Sequence, residues 1–279
     1  MKEFSVKLNK QKNKLSIIVA INDDQVFNTN IMSSPELAKN SRHEILSMRG
    51  YKSASLAYDD GITKASNDIV VFVHQDVYLP EGWIKKLNYI IVAIEANNPS
   101  WGVLGCYGVT LDGEYAGHVY SNGLQSELGS NCDPVLAQSL DEMILIFKKS
   151  SNFLFDKSLP NFHMYGADIC VRARIMGHAS YIIGNFCVHN SVSVKKLGKD
   201  FWRSVFHFRR QYLKYLPIKT TCATIYRSLV AMICYIVLNE IRTFLAHGRD
   251  TMELLIRRKK ISKYVSIRLA SPGSIQPHK

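Results

Sequence analysis

The first 194 residues alternate short apolar runs with stretches whose apolar positions recur every three or four residues, and this alternation predicts an α/β fold. Residues 15–21, Leu-Ser-Ile-Ile-Val-Ala-Ile, read as a strand covered on both faces, and the run stops at Asn22-Asp23-Asp24. Residues 68–73 predict a second such strand, stopping at His74-Gln75-Asp76. Between them, 44–48 reads as a weaker strand and 53–65 as a helix in spite of Gly61. Pro80 suits a first helical turn, and Trp83, Leu87, Ile90, Ile91 and Ile94 follow at helical spacing. Strands are expected at 101–106 and 143–147, bracketing a glycine-bearing stretch, 108–129, that reads as a hairpin and mobile lid. A helix over 164–176 is closed by Gly177, and a last strand over 179–188 ends at His189.

After Lys195 the texture changes. Phe201, Val205, Phe208, Tyr212 and Tyr215 share one helical face while Arg203, Arg210 and Lys214 lie elsewhere, predicting an amphipathic basic helix. Pro217 breaks it, an apolar helix is expected around 221–246, and Arg257-Arg-Lys-Lys260 opens a basic tail. Residues 195–279 carry 18 Lys plus Arg against 4 Asp plus Glu, whereas residues 1–194 carry 17 against 19, so the formal +12 resides in the last third. The chain therefore divides into a core domain over 1–194 and a helical, basic extension over 195–279. Apolar and aromatic side chains interleaved with that charge suit an anionic membrane surface, where each Lys or Arg contributes ~1 kcal/mol. No RNP, KH or zinc-finger pattern points to nucleic acid. The most lipid-like run, 229–238, is far short of the ~20 residues a spanning helix needs.

At 279 residues, 47% apolar, the chain can bury a sizeable core, which excludes wholesale disorder. Its six cysteines form no CxxC pair and its first residues lack a signal-type apolar run, so the expectation is a cytoplasmic protein, peripheral at the membrane's cytosolic face.

In open α/β sheets ligands bind beyond the carboxyl ends of the strands, which directs attention to Asn22, to His74 and Asp76, and to His189. Asp141-Glu142 lies just before a strand, and Asp168 lies near a helix start. His74 and Asp76, one residue apart in extended backbone, can point the same way, an arrangement suited to metal binding or to neutralising a diphosphate. Asp168, four residues before Arg172, reads equally as half of an ion pair along its helix.

The segment 53–83, with its helix followed by Asp68-Ile-Val-Val-Phe-Val-His-Gln-Asp76, resembles the donor half of a family 2 glycosyltransferase of GT-A fold, in which a strand ends in a metal-binding DxD motif. Phe155-Asp156, residues 162–177 and His189 resemble that family's acceptor half, so the resemblance spans roughly 15–191. It implies a Rossmann-like, mostly parallel central sheet. It further implies metal-dependent, inverting transfer of a sugar from a nucleotide-sugar donor to a saccharide or lipid-linked glycan acceptor, in surface polysaccharide biosynthesis. Carried over by position, it implies donor-binding roles for Asn22, Asp59, Asp60, His74, Asp76 and Asp141, and metal ligation by Asp76 and His189. An imidazole ligand favours Mn²⁺ over Mg²⁺. Where the family has Glu-Asp-x-Asp, with a base at its second position, this chain has Tyr165-Gly166-Ala167-Asp168. Asp168 is then the first candidate base and His163 the second. The missing acid leaves open another reading, a non-catalytic, degenerate transferase that binds sugar or nucleotide and docks to a membrane or partner. A nucleotidyltransferase is a weaker alternative, because no glycine-rich phosphate loop follows Ile21.

Overall fold

The computed structural model describes residues 13–37, 42–191 and 197–241; the basic tail at 257–260 and the end of the expected last helix, 242–246, lie outside them. Two compact units form, Met1–Arg227 and Ser228–Lys279. The division falls after residue 227, so residues 195–227, expected in the extension, belong to the first unit.

In chain order the first unit contains β1 (Leu15–Ile21), α1 (Asp24–Thr29), β2 (Glu44–Arg49), α2 (Ala54–Lys64), β3 (Ile69–His74), β4 (Val77–Tyr78) and α3 (Trp83–Asn97). There follow β5 (Leu104–Gly105), β6 (Tyr107–Thr110), β7 (Tyr115–Ser121), β8 (Ser126–Gly129), β9 (Val135–Leu140) and β10 (Ile144–Lys148). The unit closes with α4 (Tyr165–Ile175), β11 (Tyr181–Ile182), β12 (Cys187–His189), α5 (Lys199–Gln211), β13 (Ile218–Lys219) and β14 (Thr224–Ile225). In the second unit, residues 229–241 are helical.

The expected α/β class is what the structure has. Twelve strands form one mixed sheet in the order β2-β1-β3-β10-β5-β11-β9-β6-β7-β12-β4, with β8 on β7. β2-β1-β3 is a parallel block, and the β-branched runs of β1 and β3 are covered on both faces: Ile17, Ile18, Val70, Val71 and Val73 have no exposed surface. Burying each such side chain stabilises by roughly 1.5–3 kcal/mol. β10 then runs antiparallel to β3, with Ile144 opposite Val73.

Local chemistry accounts for the details. Ser53 caps α2 by accepting the Leu56 N–H, and Gly61 inside that helix lets it lie against β1, because a Cβ there would stand 2.4 Å from Ile18 Cγ2. The run at 179–188 splits into β11 and β12 because residues 131–132 cross at Gly184, where a Cβ would meet the Cys132 nitrogen at 2.2 Å. The stretch 108–129, expected as a lid, is taken up by the β6-β7-β8 ladder. α5 forms as expected, with Phe201, Val205, Phe208 and Tyr212 buried, yet that face packs within the first unit. The helix expected from 221 begins only at 229, since Thr220 Oγ1 accepts the N–H groups of Cys222 and Ala223 and turns the chain from β13 into β14.

Candidate active site

Because β1 and β3 are parallel, their carboxyl ends share one edge. Antiparallel β10 begins at that edge, so Asp141 and Glu142 arrive there as well. β12 pairs with β4, His189 opposite Val77, which sets His189 beside Asp76; the Asn190 N–H donates to the Asp76 carbonyl at 2.8 Å. The amino end of α4 supplies Tyr165. A cleft of about 180 Å³ opens here, lined among others by His74, Asp141, Glu142, His163, His189 and Thr221.

His74, Asp76 and His189 form a cluster whose potential ligand atoms all lie within 4.8 Å of one another. His189 Nε2 is 3.4 Å from Asp76 Oδ1. Burial works against charge on His189, and the bond and charge of Asp76 outweigh it and raise its pKa. Burial likewise opposes ionisation of Asp76, but His189 and His74 outweigh it and hold the carboxyl below its ordinary value. His74 is pushed down by burial, Asp76 notwithstanding, and stays a neutral imidazole near neutrality.

The tautomer of His74 follows from its neighbour. Tyr165 Oη is 2.5 Å from His74 Nε2 and donates to the Glu142 carbonyl oxygen at 3.0 Å. A hydroxyl has one proton, and a carbonyl can only accept it, so Tyr165 Oη accepts from His74 Nε2–H. His74 is left with a bare Nδ1, the form in which imidazole binds a cation. Tyr165 is fixed in turn by edge-on packing against Tyr58 at 5.4 Å between ring centres. A neutral imidazole, a second imidazole that gives up its proton on ligation, and a carboxylate thus fit a divalent cation of borderline softness, Mn²⁺ more than Mg²⁺.

The other expected site residues divide. Asn22 stands at the end of β1, where its backbone N–H donates to Gln75 Oε1 at 3.0 Å and its side-chain oxygen accepts from Gln75 Nε2 at 2.5 Å. Asp141 lines the cleft, its Oδ1 accepting the Met143 N–H at 3.1 Å and its Oδ2 the Thr221 hydroxyl at 2.6 Å. His163 also lines it, edge-on to Phe201, its pKa lowered by burial. Asp59 and Asp60 do not line it: Asp59 pairs with Lys157 at 2.8 Å, and Asp60 bonds Tyr51 and pairs with Lys64 at 2.7 Å.

Asp168 is the main correction. It is 1% exposed, and both its oxygens are engaged. Tyr212 donates to Oδ1 at 2.5 Å, while Arg172 Nε and the Asp156 N–H donate to Oδ2 at 3.0 and 3.2 Å. A carboxylate enclosed in this way has no route to an acceptor hydroxyl, and the ion-pair reading of Asp168 is the one realised.

Sequence reasoning left Tyr165 without a role and read Glu142, together with Asp141, as an exposed turn or a donor-sugar or acceptor contact. Glu142 is half-buried in the cleft; burial, then the Asp141 charge, raises its pKa from 4.5 to about 8 against the opposing backbone N–H groups of residues 164–166. The available signal was its place just before a strand, at a cluster of polar residues.

Residues 16–183 match the model of a glycosyltransferase-like family. A curated relative, ATP synthase subunits region ORF 6 of Fuscovulum blasticum, is 27% identical over 157 residues, which are 53% of this chain and 61% of that protein. The chain thus spans about three fifths of the length of the curated relative it matches. Among solved structures, the mannosyltransferase PcManGT from Pyrobaculum calidifontis, in complex with GDP-Man and Mn²⁺, aligns with TM-score 0.44 and 13% identity over 72% of this chain and 64% of its own. S. aureus TarS 1–349 gives 0.37 and 10% over 64% and 59%, and A197 from STIV gives 0.39 and 11% over 62% and 82%.

Proposed function

Since the chain belongs to the glycosyltransferase-like family, whose model covers residues 16–183, we propose that it is a metal-dependent transferase acting on a nucleotide-sugar donor and a saccharide or lipid-linked glycan acceptor. The observation that carries this reading is the His74, Asp76 and His189 cluster at the carboxyl edge of the parallel strands, whose two histidines line the cleft. His74, Asp76 and His189 would hold a divalent cation, whose charge would neutralise that of a donor diphosphate. Asp76 would supply the anionic ligand and the imidazoles of His74 and His189 the nitrogen ligands, His189 losing its proton on ligation. Asn22, locked to Gln75 beside the cluster, and Asp141 on the cleft wall bind the donor. Direct displacement by the acceptor hydroxyl inverts the sugar carbon and needs no covalent intermediate.

Thermal stabilisation by UDP, GDP, CMP and dTDP, each with Mn²⁺ and with chelator, tests the donor site, because a ligand at ~100 times its dissociation constant stabilises by ~2.7 kcal/mol. A shift with one nucleotide that chelator abolishes is the expected result. Release of nucleoside diphosphate from the matching nucleotide sugar then separates a transferase from a binder.

The second unit supports a membrane-facing acceptor. Leu229, Val230, Ile233, Val237, Leu238 and Ile241 of its helix are each about half exposed or more, and no helix among the described residues is long and apolar enough to cross a membrane. Apolar side chains of this kind beside the basic sequence that follows suit docking to an anionic bilayer surface, as in surface polysaccharide synthesis at the cytosolic face. Co-sedimentation with phosphatidylglycerol vesicles, lost on Val230→Asp with Ile233→Asp, is the expected outcome. Equal sedimentation of that double variant removes the membrane from the proposal.

A further inference from the structure

The cleft needs a group that takes the acceptor's proton, and its walls hold few free to do so. His74 has its Nε2 proton committed to Tyr165, and His189 faces Asp76. Asp141 accepts a hydrogen bond on each oxygen, from the Met143 N–H and the Thr221 hydroxyl. Asp168 is enclosed elsewhere. Glu142 and His163 remain. His163 lies on the Phe201 side of the cleft. Glu142 is tied to the cation cluster itself, because its carbonyl takes the proton of the same Tyr165 hydroxyl that holds His74.

The first turn of α4 makes room for the Glu142 side chain. A Cβ at Gly166 would stand 2.5 Å from the Leu140 carbonyl oxygen and 3.1 Å from Glu142 Cγ. No side chain can project from the helix at 166, and the carboxylate beside that position comes from the strand side instead. The backbone N–H groups of Gly166, Met164 and Tyr165 favour its charged form, against burial and the Asp141 charge.

We propose that Glu142 is the general base of the transfer, an inference that rests on the transferase reading above. The acceptor oxygen forms its bond to the sugar carbon as the bond from that carbon to the diphosphate oxygen breaks. The bonding pair leaves with the nucleoside diphosphate, and the hydroxyl proton passes to the Glu142 carboxylate, which later returns it to solvent. A carboxyl carried to about 8 by burial and Asp141 is basic enough for the task near neutrality.

The test measures nucleoside diphosphate release from UDP-glucose, UDP-N-acetylglucosamine, GDP-mannose and dTDP-rhamnose with Mn²⁺, water standing in for the acceptor. Glu142→Gln, which keeps the side chain's size, lowers kcat about 10²- to 10⁴-fold. Its KM stays within about threefold of the parent's, since the lost interaction belongs to the transition state. Mn²⁺-dependent stabilisation by the free nucleotide is retained, and added formate restores part of the rate to Glu142→Ala but none to Asp76→Ala. Undiminished kcat in Glu142→Gln, a change in KM alone, or a loss of that size in His163→Gln with no formate rescue of Glu142→Ala overturns the assignment while the transferase reading stands. Binding of nucleotide without release by the unaltered protein overturns both.

Discussion

The first unit holds two clusters built from the same kinds of side chain, and they differ in how fully their polar atoms are satisfied. In one, Asp156, Asp168, Arg172, His207 and Tyr212 enclose each other. Asp168 accepts from Tyr212, Arg172 and the Asp156 N–H, while Asp156 accepts from the Ser158 N–H and hydroxyl at 2.9 and 2.7 Å and lies 3.2 Å from His207. In the other, among the described residues, Asp76 has one side-chain partner, His189 at 3.4 Å, and His74 has one, Tyr165 at its Nε2. The first cluster spends its hydrogen-bonding capacity on docking α5 against α4; the second keeps capacity in reserve at a cleft. A saturated carboxylate stabilises a fold, whereas an unsaturated one is available to a ligand.

Substitution separates the two roles. Asp76→Asn removes the only anionic member of the open cluster, and release of nucleoside diphosphate should fall by about 10²-fold or more, since a cation at a departing diphosphate contributes several kcal/mol. Melting in chelator should be nearly unchanged. Tyr165→Phe leaves all three ligands in place and removes the oxygen that fixes the His74 tautomer; Mn²⁺ affinity should drop about 10- to 100-fold, the usual cost of losing a partner behind a ligand. Titration of Mn²⁺-dependent nucleotide stabilisation measures it, with binding in chelator as the control. Asp168→Asn should do the reverse of Asp76→Asn. Leaving Arg172 and Tyr212 poorly partnered costs about 2–4 kcal/mol of stability, read as a melting point lower by roughly 4–16 °C, with kcat well below that temperature within about threefold. A large kinetic loss without destabilisation in Asp168→Asn would erase the distinction between the clusters.

The sequence displays one cluster more openly than the other. β1 and β3 are legible because both faces are covered, so every residue is apolar, and the first polar residues after them mark the sheet edge; Asn22, His74 and Asp76 follow directly. His189 is legible for the same reason, as the end of a strand. What periodicity does not carry is strand pairing and direction. That β10 runs antiparallel to β3, and so delivers Glu142 to the edge where β3 ends, is a fact of register between distant segments. Asp168 shows the same gap from the other side. Its spacing to Arg172 is visible in the chain, but whether it faces substrate depends on Tyr212, which reaches it from the far end of α5.

Two single acids of opposite sign, Asp156 beside the saturated Asp168 and Glu142 in the cleft, give the finest test. Asp156 has a lowered pKa: burial opposes its charge, but Ser158, His207 and Arg172 outweigh it. Its folded form therefore holds a proton less readily than its unfolded form, contributing stability above the ordinary carboxyl range that is lost as pH falls through the folded value. Glu142 has the opposite sign. With its pKa carried from 4.5 to about 8, the folded chain keeps a proton that the unfolded chain has already released, so stability falls as pH rises across that interval. Below the interval Glu142→Gln should melt with the parent; through it the variant should gain steadily, and above it the gain should level off. Measured in chelator, so that no cation offsets the charge, this widening gap shows a cleft acid held against the preference of the fold. A constant gap across the same range shows that the fold does not hold the Glu142 proton.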